Sequence, residues 1–251
     1  MEKSEFRSLE YSDFCFFLTS VDKKLTLEHY QIQKQSDILP FYYEDPLITK
    51  NYEGVFDKDK EILKVIFTGS LNYAPNIEAA MFLIKNAEKI QNVLDTKLQI
   101  IIAGRNPNQV LIENVKNGGL ISIIPNPSKE EMDTILFESN LFVSPVFNGS
   151  GIKTKIVEAL AHGLPIILSE HSFIGYEFLS DYIDKVIFKF EDGNLPDFIS
   201  KLELWKNKYR ETSKKIVFDE VRDIYKKYFS FENVEQKLFS ILEIYHKKGK
   251  K

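Results

Sequence analysis

Cysteine is almost absent from this sequence. Cys15 is the single cysteine among 251 residues, so no disulfide can form within the chain. A chain without disulfides suits a reducing compartment, and we expect a cytoplasmic protein. No group of His, Cys and Asp residues has the spacing of a metal site, so we expect neither a metal nor another cofactor.

Long apolar runs and a strong charge of one sign are also missing. The first apolar run, Phe14–Leu18, is too short to cross a bilayer or to form the core of a signal peptide. The net charge of −4 gives no general attraction to nucleic acid. The C-terminal sequence HKKGKK is expected to be a solvated end, with weak peripheral contact with anionic lipid as the alternative.

Apolar segments typical of strands alternate with helical segments from residue 63 to residue 230. Pro75–Val93 opens with a proline and carries apolar residues at helical spacing, and Ser128 and Glu131 have the spacing of a capping box. Strands that are nearly all apolar and are separated by helices indicate the α/β class, as a doubly wound parallel sheet. The predicted strands are Lys64–Ser70, Leu98–Ala103, Leu120–Ile124, Leu141–Val146, Pro165–Leu168 and Asp184–Phe190, and Leu195–Tyr228 is predicted to be mostly helix.

One stretch combines a strand, a glycine loop, a helix and a second strand in a βαβ unit. The loop Gly149-Ser150-Gly151 precedes a helix predicted over Ile152–His162, and free N–H groups at such a junction favour an anion. Lys153 and Lys155 fall in the predicted first turn, where an anion would offset their unfavourable interaction with the helix dipole. Glu158 lies roughly 9 Å from the helix start, about the reach from a diphosphate to a ribose. The stretch therefore predicts a site for a nucleoside diphosphate.

The sequence GSGIKT at 149–154 has rival interpretations. A Walker A loop requires an earlier glycine and a four-residue spacer, and both are absent. An NAD-type fingerprint would have a third glycine where Thr154 stands and would lie on the first strand rather than the fourth. Glu170 nevertheless ends the next strand at about the right distance for a ribose carboxylate, so this alternative stays open.

Three motifs together resemble the group 1, or family 4, retaining glycosyltransferases: FTGSLNYAPNIEAA at 67–80, IIAGRNP at 101–107 and SPVFNGSGIKTKIVEALAHGLPII at 144–167. The resemblance implies the C-terminal, nucleotide-sugar-binding half of a GT-B fold, which is Rossmann-like. It implies that Glu158 binds the ribose hydroxyls, that the Gly151 loop and a nearby lysine hold the diphosphate, and that the turn at Asn126 faces the base. The implied donor-binding residues are Gly69, Ser70, Arg105, Asn126, Gly149, Ser150, Gly151, Lys153, Lys155 and Glu158.

The sequence departs from the pattern of this family at a few positions. Ser150 stands where many relatives have an acidic residue, so no catalytic residue is assigned. Ser70 and Asn76 stand roughly where many relatives have a phosphate-binding arginine and a lysine. The cations that could replace them are Lys153, Lys155 and Arg105.

The resemblance divides the chain into four expected parts. Residues 1–45 would be a remnant of the N-terminal acceptor domain, looking like its last helix and strand, and residues 46–62 a linker. Residues 63–230 would form the Rossmann-like domain that binds the nucleotide sugar. Residues 231–251 would form an amphipathic helix that crosses back, followed by the basic tail.

The two ends of the chain carry apolar surfaces that need cover. Phe14–Leu18 has too little sequence around it to build its own sheet, and the final helix has an apolar stripe from Phe231 to Tyr245. Either the ends fold onto each other or another chain covers them, so we expect an oligomer or a complex through residues 1–45 and 231–246. The predicted function is the donor-binding part of a retaining glycosyltransferase with an unknown acceptor. The alternatives are a non-catalytic partner subunit of a glycosyltransferase complex and an NAD-type domain.

Overall fold

The computed structural model describes residues 2–47, 62–115, 119–210 and 212–248. The helices are α1 (Glu2–Tyr11), α2 (Ser20–Tyr30), α3 (Ala74–Asn92), α4 (Gln109–Asn114), α5 (Lys129–Glu138), α6 (Lys155–Ala161), α7 (Glu170–Phe173), a 3-10 helix (Glu177–Tyr182), α8 (Leu195–Tyr209), α9 (Lys214–Tyr228) and α10 (Phe231–Lys248). The strands are β1 (Cys15–Phe17), β2 (Ser36–Ile38), β3 (Ile62–Ser70), β4 (Lys97–Arg105), β5 (Ile121–Pro125), β6 (Leu141–Ser144), β7 (Ile166–Ser169) and β8 (Ile187–Phe190). Among the described helices, none has the length and apolar character needed to cross a membrane.

The six strands from β3 onward form one parallel sheet in the order β5-β4-β3-β6-β7-β8. Each connection crosses from one end of the sheet to the other, which is why helices separate the strands. The chain first builds outward from β3 through β4 to β5 and then returns to β6 on the other side of β3. This is the strand order of doubly wound nucleotide-binding sheets, and the predicted α/β fold class is confirmed.

Both faces of this sheet are covered by apolar cores. In β3, Val65 and Phe67 point into the core that contains α3 and α8, whereas Ile66 points into the core that contains α6 and α9. Neighbouring side chains of a strand lie on opposite faces, so a strand covered on both faces must be apolar throughout. That requirement explains the nearly unbroken apolar runs in the sequence.

The N-terminal residues form a small unit of their own. β1 and β2 pair in a two-stranded parallel sheet, with Cys15 opposite Ser36. The expectation that Phe14–Leu18 has too little sequence around it to build its own sheet was therefore wrong. β2 escaped prediction because it has three residues and begins with Ser36 and Asp37. Phe14 meets Tyr245 of α10 edge to face at 5.4 Å, so the two ends of the chain contact each other.

Several predicted boundaries also need correction. α6 begins at Lys155 rather than Ile152, so Lys153 precedes the helix instead of lying in its first turn. The segment predicted as mostly helix after Leu195 is two helices, α8 and α9, separated by a break. The capping box of Ser128 and Glu131 is confirmed at the start of α5.

The predicted domain limits stay predictions. Of the linker expected at 46–62, residues 48–61 lie outside the described residues, and Ile62 already belongs to β3. The residues just before the expected linker contact the main domain. Asp45 pairs with Arg222 of α9, and the N–H of Tyr43 donates to the carbonyl of Phe229 at 3.1 Å. Residues 41–47 therefore lie against the main domain; we call them the strap.

Candidate functional site

The reversal of strand order between β3 and β6 creates a crevice at the carboxyl edge of the sheet. β3 leads to β4 on one side and β6 leads to β7 on the other, so their connections diverge. Ligands of doubly wound sheets bind at such a point. Ser70 ends β3 there, and the residues after β6 form the glycine loop, residues 148–151.

The glycine loop lies against the start of α3. Gly149 has a φ of 95° and Gly151 a φ of 78°, both in the region that favours glycine. A Cβ added to Gly149 would lie 3.0 Å from the Tyr73 hydroxyl and 3.1 Å from Pro75, whereas one added to Gly151 would meet nothing within 4 Å. At Gly149, both the positive φ and the close neighbours therefore disfavour a side chain. At Gly151, only the positive φ does.

Positive and polar side chains hold the carbonyl groups of this loop. Lys153 Nζ donates to the carbonyl oxygens of Gly151 at 2.9 Å and Gly149 at 3.3 Å. Nε2 of His171 in α7 lies 2.7 Å from the Gly149 oxygen. Burial lowers the pKa of Lys153 below its ordinary value. The two side chains fix which way the peptide groups of the loop turn.

The N–H groups of the same loop are left without partners. Within the described ranges, no backbone N–H from residue 149 to residue 153 donates a hydrogen bond, and the first that does is that of Thr154, to the carbonyl of Ile152. Ser150 and Gly151 are exposed. Consecutive unpaired N–H groups in a glycine turn form a concave site for an anion. The start of α6 adds little, because the helix begins only at Lys155 and has only 7 residues, about two turns.

Glu158 is a buried carboxylate in the middle of α6. Its side chain is 7% exposed, and its Oε1 accepts a hydrogen bond of 3.1 Å from the Tyr43 hydroxyl of the strap. Its Oε2 lies 2.7 Å from Lys155 Nζ, an ion pair that lacks hydrogen-bond geometry, so Oε2 has no hydrogen bond. Burial and the charge of Glu158 raise the pKa of Tyr43, so the phenol stays protonated and donates.

A second buried polar pair supports α6 below Glu158. His162 Nδ1 lies 2.7 Å from the carbonyl oxygen of Glu158, and Nε2 lies 3.0 Å from Oδ1 of Asp133 in α5. Both ring nitrogens face oxygen atoms, so the ring links the end of α6 to Asp133. His162 therefore closes the helix and fixes it to α5.

The other half of the crevice rim comes from the ends of β4 and β5. A Cβ at Gly104 would lie 1.7 Å from the carbonyl oxygen of Gly69, so only glycine allows the two strand ends to approach. Asn126 has a φ of 51°, and its side chain accepts from the N–H of Asn106 at 2.8 Å. The side chain of Arg105 is exposed and forms no hydrogen bond or ion pair with the described residues.

The predicted donor-binding residues thus fall into two groups on either side of the crevice. One group ends β3, β4 and β5, and the other follows β6 and continues into α6; their binding roles stay predictions. Sequence analysis missed Tyr43, which lies 115 positions before Glu158, and did not connect His171 with the loop. No local pattern marks either contact, because each depends on chain segments that meet only in the folded domain.

Comparison with known proteins agrees with this architecture. Residues 63–204, more than half of the chain, match the profile of the family Glycosyl transferases group 1. The chain belongs to this family. The predicted resemblance is confirmed by that match.

Solved glycosyltransferases have the same fold as this group 1 chain. A glycosyltransferase from Rickettsia africae is 15% identical, with a TM-score of 0.73 over 97% of this chain and 68% of that chain. Anabaena Alr3699/HepE in complex with UDP is 10% identical, with a TM-score of 0.74 over 97% of this chain and 68% of that chain.

One curated relative is an uncharacterised 44.6 kDa protein from the cps region of Klebsiella pneumoniae. It is 23% identical over 155 residues, which are 59% of this chain and 39% of the relative. The group 1 chain therefore spans about two fifths of the length of this curated relative and about two thirds of the two solved structures.

Proposed function

We propose that this group 1 chain binds the diphosphate of a nucleotide sugar and takes part in transfer of the sugar, with retention, to an acceptor. The observation that carries the proposal is the run of unpaired N–H groups from residue 149 to residue 153. It lies at the crevice between β3 and β6, where doubly wound sheets bind their ligands. Fixed N–H dipoles suit a diphosphate because they need no reorganisation when its charge arrives.

The charged residues beside the loop suit two parts of a nucleoside diphosphate, namely the diphosphate and the ribose. Lys153 and Lys155 supply positive charge, and the N–H groups and lysines together would stabilise the diphosphate as it leaves the sugar. Glu158 keeps one carboxylate oxygen without a hydrogen-bond donor, and a ribose hydroxyl would provide one. The UDP complex of Anabaena Alr3699/HepE, a protein of the same fold, supports this choice of ligand. No cofactor or metal enters the proposal, and the acceptor is left open.

Calorimetry tests the binding step. UDP and GDP are titrated against their monophosphates without added metal, and the better diphosphate should bind at least about tenfold more tightly than its monophosphate, since it gains charge-assisted hydrogen bonds. Lys153→Met should reduce that preference, whereas Lys206→Met, which removes a surface pair with Asp95, should not. Equal affinity for NAD and for UDP would overturn the proposal in favour of the NAD-type alternative.

We also propose that transfer requires cover over the N-terminal unit, from a second copy or another chain. Among the described residues, β1 and β2 have no further strand beside them, and Phe16 and Leu18 are exposed. In α10, Val234 and Ile241 are buried, but Phe239 is 59% exposed. Contact between the chain ends therefore covers part of the apolar surface and leaves the rest.

Light scattering after size-exclusion chromatography tests this second proposal, followed by assays of donor hydrolysis and transfer. We expect an oligomer, or a monomer that hydrolyses the donor but needs a partner for transfer. Phe239→Ser should weaken self-association if copies pair through this surface. A stable monomer that transfers sugar unaided would contradict the proposal. Binding of the diphosphate without hydrolysis or transfer in any assembly would favour the non-catalytic subunit.

A further inference from the structure

The two carboxylate oxygens of Glu158 have different surroundings. Oε1 accepts from Tyr43, whereas Oε2 is buried and accepts no hydrogen bond. Lys155 Nζ is close to Oε2, but its side chain is 45% exposed and its approach lacks hydrogen-bond geometry. A buried carboxylate oxygen without a donor is unfavourable, so Oε2 is the atom that a ligand hydroxyl would satisfy.

The backbone of Tyr43 is fixed by two hydrogen bonds, one from its N–H and one to its carbonyl. The N–H of Tyr43 donates to Phe229 at 3.1 Å, and its carbonyl accepts from the Tyr225 hydroxyl at 2.7 Å. Tyr43 cannot move along α6 without breaking these bonds. Its phenol is protonated and can act toward Glu158 only as a donor.

The strap is fixed at a second point, two residues further on. Asp45 accepts two hydrogen bonds from Arg222, and Arg222 Nη1 also donates to the carbonyl of Ala161 at 2.6 Å, at the end of α6. The helix that carries Glu158 and the strap that carries Tyr43 are thus bound to the same guanidinium. The distance between the phenol and the carboxylate is therefore set by the fold and not by an exposed side chain.

We propose that Tyr43 is a positioning residue that fixes the Glu158 carboxylate, so that Oε2 reads the ribose hydroxyls and the site distinguishes ribose from deoxyribose. The inference rests on the proposed function, since it concerns the nucleotide in that site. The last torsion of a glutamate side chain has a broad range, so without the Tyr43 bond the orientation of the carboxylate would depend only on its ion pair with the half-exposed Lys155. A hydrogen bond to one oxygen fixes the plane of the other before the ligand arrives, which reduces the cost of binding.

Calorimetry of Tyr43→Phe with a matched pair of nucleotides tests the inference. The probes are the ribonucleoside diphosphate that the unmodified chain binds best, from UDP, GDP, ADP and CDP, and its 2′,3′-dideoxy counterpart. We expect the unmodified chain to prefer the ribonucleotide by about tenfold to a hundredfold. In Tyr43→Phe the preference should fall to about threefold or less, while affinity for the dideoxynucleotide stays the same.

Tyr42→Phe is the matched control, because Tyr42 lies beside Tyr43 in the strap, is 49% exposed and packs its ring against Phe231. It should keep the full ribose preference. A thermal unfolding curve for each variant separates a binding effect from a folding effect.

The outcomes separate this inference from the proposed function. If the unmodified chain binds no nucleoside diphosphate, or does not prefer ribose, the proposed roles of the loop or of Glu158 fail and the inference fails with them. If it prefers ribose and Tyr43→Phe prefers ribose equally, only the role of Tyr43 is overturned. An equal loss of affinity for both nucleotides in Tyr43→Phe would also overturn it, because the hydroxyl would then serve the fold and not the ribose.

Discussion

The guanidinium of Arg222 and the carboxylate of Asp45 form a two-point ion pair, with Nη1 2.9 Å from Oδ1 and Nη2 2.7 Å from Oδ2. Arg222 is 3% exposed and the side chain of Asp45 is 25% exposed, so the guanidinium is buried and the carboxylate half-buried at the base of the strap. The pair joins the residues before β3 to α9, and through Ala161 to α6. Stability of the domain and placement of Tyr43 therefore depend on the same contact.

Arg222→Ala should lower the free energy of unfolding by about 3 kcal/mol, because it removes the opposite charge from Asp45 and the hydrogen bond to the Ala161 carbonyl. Denaturant unfolding followed by circular dichroism measures the change. Arg210→Ala, an exposed arginine after α8, is the control and should change stability by no more than about 0.5 kcal/mol. Equal effects of the two substitutions would contradict a structural role for the pair.

Asp45 should make the stability of the domain fall in acid. Burial alone would raise the pKa of Asp45, but the hydrogen bonds from Arg222 and from the N–H of Leu47, together with the charges of Arg222 and Lys226, outweigh it and leave the pKa below its ordinary value. A depressed carboxylate pKa contributes stability above the unfolded pKa of about 4, and that contribution is lost as pH falls through the folded pKa. The difference in unfolding free energy between the unmodified chain and Asp45→Asn should be constant above about pH 5 and shrink below about pH 4. A difference that stayed constant down to pH 3 would count against this ion pair.

Gly151→Ala and Gly193→Ala form a matched pair. Both glycines have positive φ, 78° and 72°, and a Cβ at either would meet nothing within 4 Å. Each substitution should cost about 1–2 kcal/mol of stability through backbone strain. Only Gly151→Ala should also weaken nucleoside diphosphate binding, by about tenfold, because relaxation of the loop turns one N–H away from the anion. Calorimetry measures the affinity of both variants for the nucleoside diphosphate. An unchanged affinity in Gly151→Ala would contradict a role of the loop in binding.

Glu158→Ala should weaken binding of the nucleoside diphosphate by about tenfold to a hundredfold and leave pyrophosphate binding nearly unchanged, since it removes the acceptor for the ribose hydroxyls. Glu170→Ala is an informative control because Glu170 is the ribose carboxylate of the NAD-type alternative, and it should have no effect. Competition titrations with both ligands provide the measurement. Parallel weakening of the two ligands in Glu158→Ala would assign that residue a structural role.

Lys214 should make the domain more stable in alkaline solution. Burial, with the charge of Lys64 as a smaller cause, lowers the pKa of Lys214 to about 8, although Glu138 opposes the shift. Between that value and the unfolded pKa of about 10.4 the unfolded chain binds more protons, so stability rises with pH across this window. Thermal unfolding from pH 7 to pH 10 should show the rise in the unmodified chain and in Lys215→Met, an exposed neighbour, but a smaller rise in Lys214→Met. The same slope in all three proteins would contradict the assignment.

Much of the main domain could be predicted because its signals are local. Every strand of the large sheet was located to within a few residues, since burial on both faces forces an apolar run such as Ile100–Ala103. Gly149 and Gly151 were identified as a turn, and both have positive φ. The start of α6 was placed three residues early, because Lys153 is held by the carbonyls of the loop and not by the helix.

The sequence by itself determined the parallel α/β sheet, the glycine loop at the end of its fourth strand and the family to which the chain belongs, because these depend on hydrophobic periodicity and on residues adjacent in the chain. Only the tertiary structure decided the partners of the buried charges. Glu158 meets Tyr43, and Arg222 meets Asp45, across separations of 115 and 177 residues. The pairing of β1 with β2 was also a tertiary decision, because three-residue strands carry too little pattern to specify a partner. A buried carboxylate requires a donor wherever the fold can bring one, and no spacing along the chain records which donor that is.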